Sequence, residues 1–199
     1  MKKLAIAVIA GLVSASAFAA QGDILARFRV INIDPDVKTS GVVADVHADV
    51  DKQTVPELDF TYMITNNIGA ELILATARHE VTSDLGSLGK INHLPPTLTL
   101  QYHFNPEGQI RPYVGAGINY TRFYNNDLHL PDGTKVNVDK NSWGGALQVG
   151  TDIAVNKDWF VNLDVKKIYI KTDVSAAGTD LGTLKINPWV FGIGVGTKF

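Results

Sequence analysis

Cysteine is absent from the 199 residues, which excludes disulfide stapling, thiol catalysis and zinc sites built on thiolate. An excess of one charge is also missing. The 18 basic residues stand against 20 acidic ones, so the balance gives no sign of a nucleic-acid partner. No stretch approaches the roughly 18 consecutive apolar residues that mark a membrane-spanning helix. Hydrophobic residues nevertheless make up 45% of the chain. They either fill a water-soluble core or face lipid from strands, and their spacing decides which.

The amino terminus reads as an export signal. Lys2 and Lys3 form a short positive region, Leu4 to Val13 an apolar run, and Ser14 to Ala19 a small-residue stretch with Ala17 and Ala19 in the A-x-A arrangement. The apolar run is about ten residues, half of what a bilayer-crossing helix needs, so a retained anchor is the weaker reading. A cleaved signal peptide over 1–19 and one domain over 20–199 are expected.

Eight later segments alternate with period two. In the fourth, Leu98, Leu100, Tyr102 and Phe104 oppose Thr97, Thr99, Gln101 and His103. In the second, Leu58, Phe60, Tyr62 and Ile64 oppose Glu57, Asp59, Thr61 and Met63. The first, third, fifth, sixth and eighth follow the same scheme, with Arg27, Arg29, Glu71, Arg111 and Asp152 on their polar faces. The seventh sets Val161, Leu163 and Val165 against Asp164 and Lys166, then breaks at Lys166–Lys167, where a bulge or emergence from lipid is expected. Short turns near 65–67, 105–109 and 156–158 alternate with longer, polar links near 34–54, 80–93, 125–140 and 174–183. The pattern predicts an all-β, eight-stranded antiparallel transmembrane barrel with both termini periplasmic and four longer extracellular loops. A soluble barrel would put its greasy face inward. Here the opposite face combines charges with Gly115, Gly117, Gly150, Gly192, Gly194 and Gly196, which suits a confined lumen. Phe199 closes an alternating aromatic strand and is the expected signal for the barrel assembly machinery.

The runs LDFTYMITNNIGAELILAT (58–76), LPPTLTLQYHF (94–104), RPYVGAGINYTRFY (111–124), SWGGALQVGTDIAVNKDWFVNLDV (142–165) and PWVFGIGVGTKF (188–199) resemble the outer membrane protein W (OmpW) family. The resemblance implies a Gram-negative outer-membrane channel for passive uptake of small hydrophobic molecules. It further implies a narrow lumen blocked toward the periplasm and exit sideways through the wall. One departure stands out: Lys166 and Lys167 follow Val165 where the family often has aromatics, and an inward lysine would make the tunnel floor more polar.

On this reading Arg27, Arg29, Glu57, Asp59, Glu71, Gln101, His103, Arg111, Asp152, Asp164 and Lys166 form a polar plug. The competing reading is that paired charges only hold the strands in register. Leu25, Ile31, Ile73 and Phe160 are candidate apolar wall residues, with plain space-filling as the alternative. Pro95 and Pro96 cannot donate ladder hydrogen bonds and mark a candidate lateral opening between the third and fourth strands. Tyr62, Tyr102, Tyr113, Tyr120, Trp143, Trp159 and Trp189 read as interfacial girdle or packing residues.

His47, His79, His93 and His129 are placed in loops or at rims. No metal set or cofactor is expected, although Asp45, His47, Asp49 and Asp51 would share one side of an extended segment and could collect cations; ordinary solvated surface is the alternative. No enzyme is expected, since His79, Ser83 and Asp84 are a catalytic trio only by proximity. The expected partners are outer-membrane lipid and lipopolysaccharide, the barrel assembly machinery and small hydrophobic solutes, with no nucleic acid. The alternative function is a structural or receptor barrel whose loops bind lipopolysaccharide, phage, bacteriocin or host surfaces.

Overall fold

A computed structural model describes residues 19–199; the expected signal peptide lies outside them except for Ala19. In chain order the strands are β1 (Ile24–Asp34), β2 (Lys38–Thr39), β3 (Asp49–Val50), β4 (Gln53–Met63), β5 (Ile68–Ala75), β6 (Ala77–Ser83), β7 (Gly86–Leu94), β8 (Thr97–His103), β9 (Ile110–His129), β10 (Lys135–Val138), β11 (Asn141–Ala154), β12 (Trp159–Ile168), β13 (Lys171–Ala176), β14 (Thr179–Lys185) and β15 (Trp189–Lys198). A single helical turn, α1 (Val42–Asp45), lies between β2 and β3.

Eight of these strands close a ring. Every neighbour is antiparallel in the circuit β1, β4, β5, β8, β9, β11, β12, β15 and back to β1. Closure leaves no unpaired edge, the condition for strands to cross hydrocarbon. The outward faces carry Phe28, Leu58, Phe60, Leu98, Leu100, Ile118, Leu147, Leu163, Phe191 and Ile193, all exposed. Tyr62, Tyr102 and Trp159 ring the end with the tight turns, and Trp143, Tyr169 and Trp189 ring the other, the two girdles of a membrane barrel. Tyr113 is not a girdle residue. Its ring is fully buried in the lumen.

The links read as polar loops are largely strand. Four barrel strands continue past the membrane as β6, β7, β13 and β14, and β9 runs twenty residues without interruption. Together with β10 they form an upper wall, which β2 and β3 border through pairing with β14 and β6. The inner face of this wall is apolar: Val81, Ile91, Leu128, Val136, Val174 and Leu184 belong to one buried cluster with Val43 of α1. Of the two explanations for the break at Lys166–Lys167, the bulge is absent. Pairing runs on to Lys167↔Trp189, with Lys166, Ile168 and Ile170 inward and Lys167 and Tyr169 outward; only polarity changes, because the strand leaves the lipid.

Two inward glycines make room for rings. A Cβ on Gly150 would lie 2.4 Å from the Tyr113 ring, and one on Gly196 2.3 Å from the Phe160 ring. Each glycine is the cross-strand partner of the aromatic it accommodates, so narrow lumen space is shared between neighbours.

The outward face yields a direct test. Leu100 is 57% exposed, where Leu→Arg in a water-soluble protein would be nearly neutral. In lipid we expect Leu100→Arg to cost about 2–4 kcal/mol, read as the shift in urea midpoint for folding into vesicles.

Candidate functional site

The inward faces of β1, β4, β5, β11 and β12 bring charges of both signs to one level, because antiparallel register sets Arg27 opposite Asp59 and Arg29 opposite Glu57. Arg27 donates to Asp59 at 2.9 Å and Thr61 at 2.7 Å, and grips Asp152 through Nε at 3.1 Å and Nη2 at 2.8 Å. Arg29 lies 2.8 Å from Glu57, donates to Glu71 at 3.1 Å and Asn162 at 3.0 Å, and also pairs with Asp59. Lys166 donates to Glu57 at 2.7 Å and Asp164 at 2.8 Å. Tyr113 and Gln148 add donors to Asp164 at 2.7 and 2.8 Å.

Gln101 reaches Gln148 at 3.1 Å, His103 lies 3.1 Å from Gln101, and the Arg111 guanidinium lies over the Phe160 ring at 5.6 Å. All eleven residues expected in the plug are buried and inward. A charge removed from water without partners costs several kcal/mol, so the mutual pairing is what permits the layer.

The four candidate wall residues do not share one chamber. Leu25 and Phe160 join Met63 and Ala19 in a small cluster at the periplasmic end. Ile31 and Ile73 lie above the charges, on the floor of a cavity of about 20 Å³ that also touches Glu57, Pro95, His93 and Ile170. Alternation assigned their face correctly but carries no information on height along the strand.

Farther out, β6, β7, β9, β10, β13, β14 and α1 enclose a second cavity of about 180 Å³. Its walls include Val43, Val81, Ile91, Leu128, Val136 and Leu184, and every residue lining it is aliphatic. None of these was singled out from sequence. The available signal was alternation within the supposed loops, as in Val136 and Val138 or Val174 and Ala176.

At Pro95 and Pro96 the wall itself changes. The β5–β8 ladder ends at Ile73↔Thr97 and the β6–β7 ladder begins at Ala77↔His93, in the same register. Leu74, Ala75 and Thr76 therefore face Leu94, Pro95 and Pro96 across a three-residue gap in the ladder. The Pro95 and Pro96 carbonyls accept instead from Asn119 Nδ2, at 3.2 and 3.4 Å, and Pro96 also from the Tyr120 amide.

His79 and His93 are not at rims. Both are buried inside the upper wall, whose outer face there carries exposed Arg78 and Lys90. Their rings stack with centroids 5.0 Å apart and planes within 2°. Burial pushes His79 below its ordinary value against the pull of Asp51. Burial, and then His79, push His93 down to about 3.

No catalytic trio forms. His79 Nδ1 bonds the Asp51 carbonyl at 2.7 Å, Ser83 bonds Gly86, and Asp84 pairs with His47. The Asp45–Asp51 run is not extended either: Asp45 ends α1 and His47 has a left-handed φ of 48°. Among the described residues no three potential ligands converge for a metal.

Comparison with known proteins places these features in company. The model of the OmpW family matches residues 20–199. Outer membrane protein W of Escherichia coli is 38% identical, with both chains covered in full. The dibenzothiophene metabolism operon protein PahQ of Pseudomonas aeruginosa is 34% identical over 76% of this chain and 74% of its own. The crystal structure of the outer membrane protein OprG from Pseudomonas aeruginosa superposes with a TM-score of 0.81 at 31% identity, covering 92% of this chain and 99% of that one.

The plug's energetics can be measured. Arg29→Ala leaves Glu57, Asp59, Glu71 and Asp164 short of a cation, and a loss of about 3–5 kcal/mol is expected in vesicle-based urea unfolding. Lys52→Ala removes only an exposed pair with Asp34 and should change stability by no more than about 1 kcal/mol.

Proposed function

The chain belongs to the OmpW family of outer-membrane barrels, and from that premise we propose that it admits small hydrophobic molecules from outside and releases them sideways into the bilayer. The observation that carries this reading is an aliphatic cavity standing above a layer of paired charges, with the smaller cavity between them. Apolar surface leaving water gains roughly 25 cal/mol per Å², so a hydrophobic solute partitions into the cavity without any energy source. It gains nothing by continuing into the plug, where it would have to break charge-assisted hydrogen bonds of about 1.5–3 kcal/mol each.

Sideways exit needs a place where strands part at low cost. The gap opposite Pro95 and Pro96 supports that site, since opening it breaks no ladder hydrogen bond over three residue pairs. The lower cavity touches Pro95 from inside and Ile73, Ile31 and Ile170 around it, which brings an apolar surface up to the seam. The name of the PahQ relative links it to dibenzothiophene metabolism, and dibenzothiophene is a fused apolar aromatic of the class such a path would take. Phe199 fits docking by the assembly machinery, its backbone pairing with Ile24 at 3.0 and 2.9 Å.

A reversible lock tests the exit. Extending the register across the gap sets Thr76 opposite Leu94, so Thr76→Cys with Leu94→Cys should form a disulfide in this cysteine-free chain. We expect naphthalene uptake into vesicles to fall at least tenfold in the oxidised protein and to recover with reductant. Equal uptake by the oxidised and reduced forms would contradict lateral exit.

A further inference from the structure

Two imidazoles stand between the two cavities. On β6, Val81 lines the upper cavity; on β7, Ile91 lines the upper one and His93 the lower. His79 and His93 thus occupy the boundary, surrounded by Ala77, Val81, Ile91 and Phe123 of the apolar cluster, with the His93 ring edge-on to Phe123 at 6.2 Å. His79 Nδ1 faces two acceptors, the Asp51 carbonyl at 2.7 Å and, farther off, the Asp51 carboxylate at 3.5 Å. Nδ1 of His79 therefore carries the proton, and Nε2 presents a bare lone pair. That Nε2 and the Nδ1 of His93 are both buried without a hydrogen-bond partner. Each such atom costs about 1–3 kcal/mol when left unmade; His93 lines the lower cavity, and His79 stacks on it from behind.

We propose that the His79–His93 pair is a recognition point for one hydroxyl on an otherwise apolar aromatic cargo, that is, a phenol. This rests on the transport reading above and narrows its substrate class. A hydroxyl donates its one proton to the Nε2 lone pair of His79, and its oxygen then accepts from His93 when Nδ1 of that ring carries the proton. A flat ring suits the stacked imidazoles and Phe123. Carboxylates are disfavoured, because both imidazoles are neutral and no cation lines either cavity to offset the desolvation of an anion. Asp51, 3.5 Å from His79 Nδ1, adds a negative charge beside the pair, while Glu57 on the lower cavity's floor is already held by Arg29 and Lys166.

The test pairs 1-naphthol with naphthalene, solutes of nearly equal shape. In vesicles we expect His79→Phe to lower 1-naphthol uptake about tenfold while leaving naphthalene uptake within twofold, and His79→Gln to restore part of the loss. Equal falls for both solutes, or none for either, would overturn the proposal. Imidazole nitrogen resonances of the wild-type barrel in lipid nanodiscs provide a readout that needs no variant. The His79 Nε2 signal should move toward its hydrogen-bonded position with 1-naphthol and not with naphthalene, and a signal indifferent to 1-naphthol overturns the subsite. If that signal moves while the wild type takes up neither solute, the transport reading fails and the subsite stands.

Discussion

Hydrocarbon offers no hydrogen-bond partner to a backbone amide, and the rest of this protein follows from that. Strands can cross lipid only if every N–H and C=O finds another strand, so eight segments close on themselves. Closure with eight strands leaves a lumen that side chains can fill. Alternation then sends half of each strand to lipid and half into that space, where charges brought by register have only each other as partners. Arg27, Arg29 and Lys166 meeting Glu57, Asp59, Glu71, Asp152 and Asp164 are the consequence of a narrow interior rather than an addition to it.

The same constraint explains why the lumen has two storeys. Within the lipid, the inward positions at mid-height are mostly polar and paired with one another. Beyond it the wall is wetted outside, so its inner face can revert to the ordinary logic of a hydrophobic core, and β6, β7, β10, β13 and β14 bury valine, leucine and isoleucine. Lys166 and Lys167 mark the transition: the first belongs to the plug, and the second points outward to Asp36 at 3.0 Å and the Trp189 ring at 4.9 Å. The inward lysine expected on the tunnel floor is Lys166, which lines neither cavity.

Much of this was legible from residue order. Period-two alternation identified the eight strands, their lipid face and the inward position of all eleven polar residues, because in a barrel face follows directly from parity. Height does not follow from parity, which is why Leu25 and Phe160 were grouped with Ile31 and Ile73 although the charged layer separates them. The upper chamber was missed for another reason. Register shifts between Val81 and Thr82, between Lys90 and Asn92, and between Val174 and Ser175 interrupt the period where glycine, asparagine and aspartate already suggest loop. His79 and His93 went unrecognised as a pair because only the β6–β7 register brings them together, and the Asp45–Asp51 run was misjudged because α1 and the left-handed His47 destroy its alternation.

The central claim is a lumen sealed to ions below and open to apolar solutes above. Planar-bilayer current and transfer of naphthalene into the same membrane, measured on one preparation, test it most directly. The account predicts no ion conductance above that of the bare bilayer together with protein-dependent naphthalene transfer. A steady open-pore current would contradict the seal, and absence of protein-dependent transfer would contradict the path.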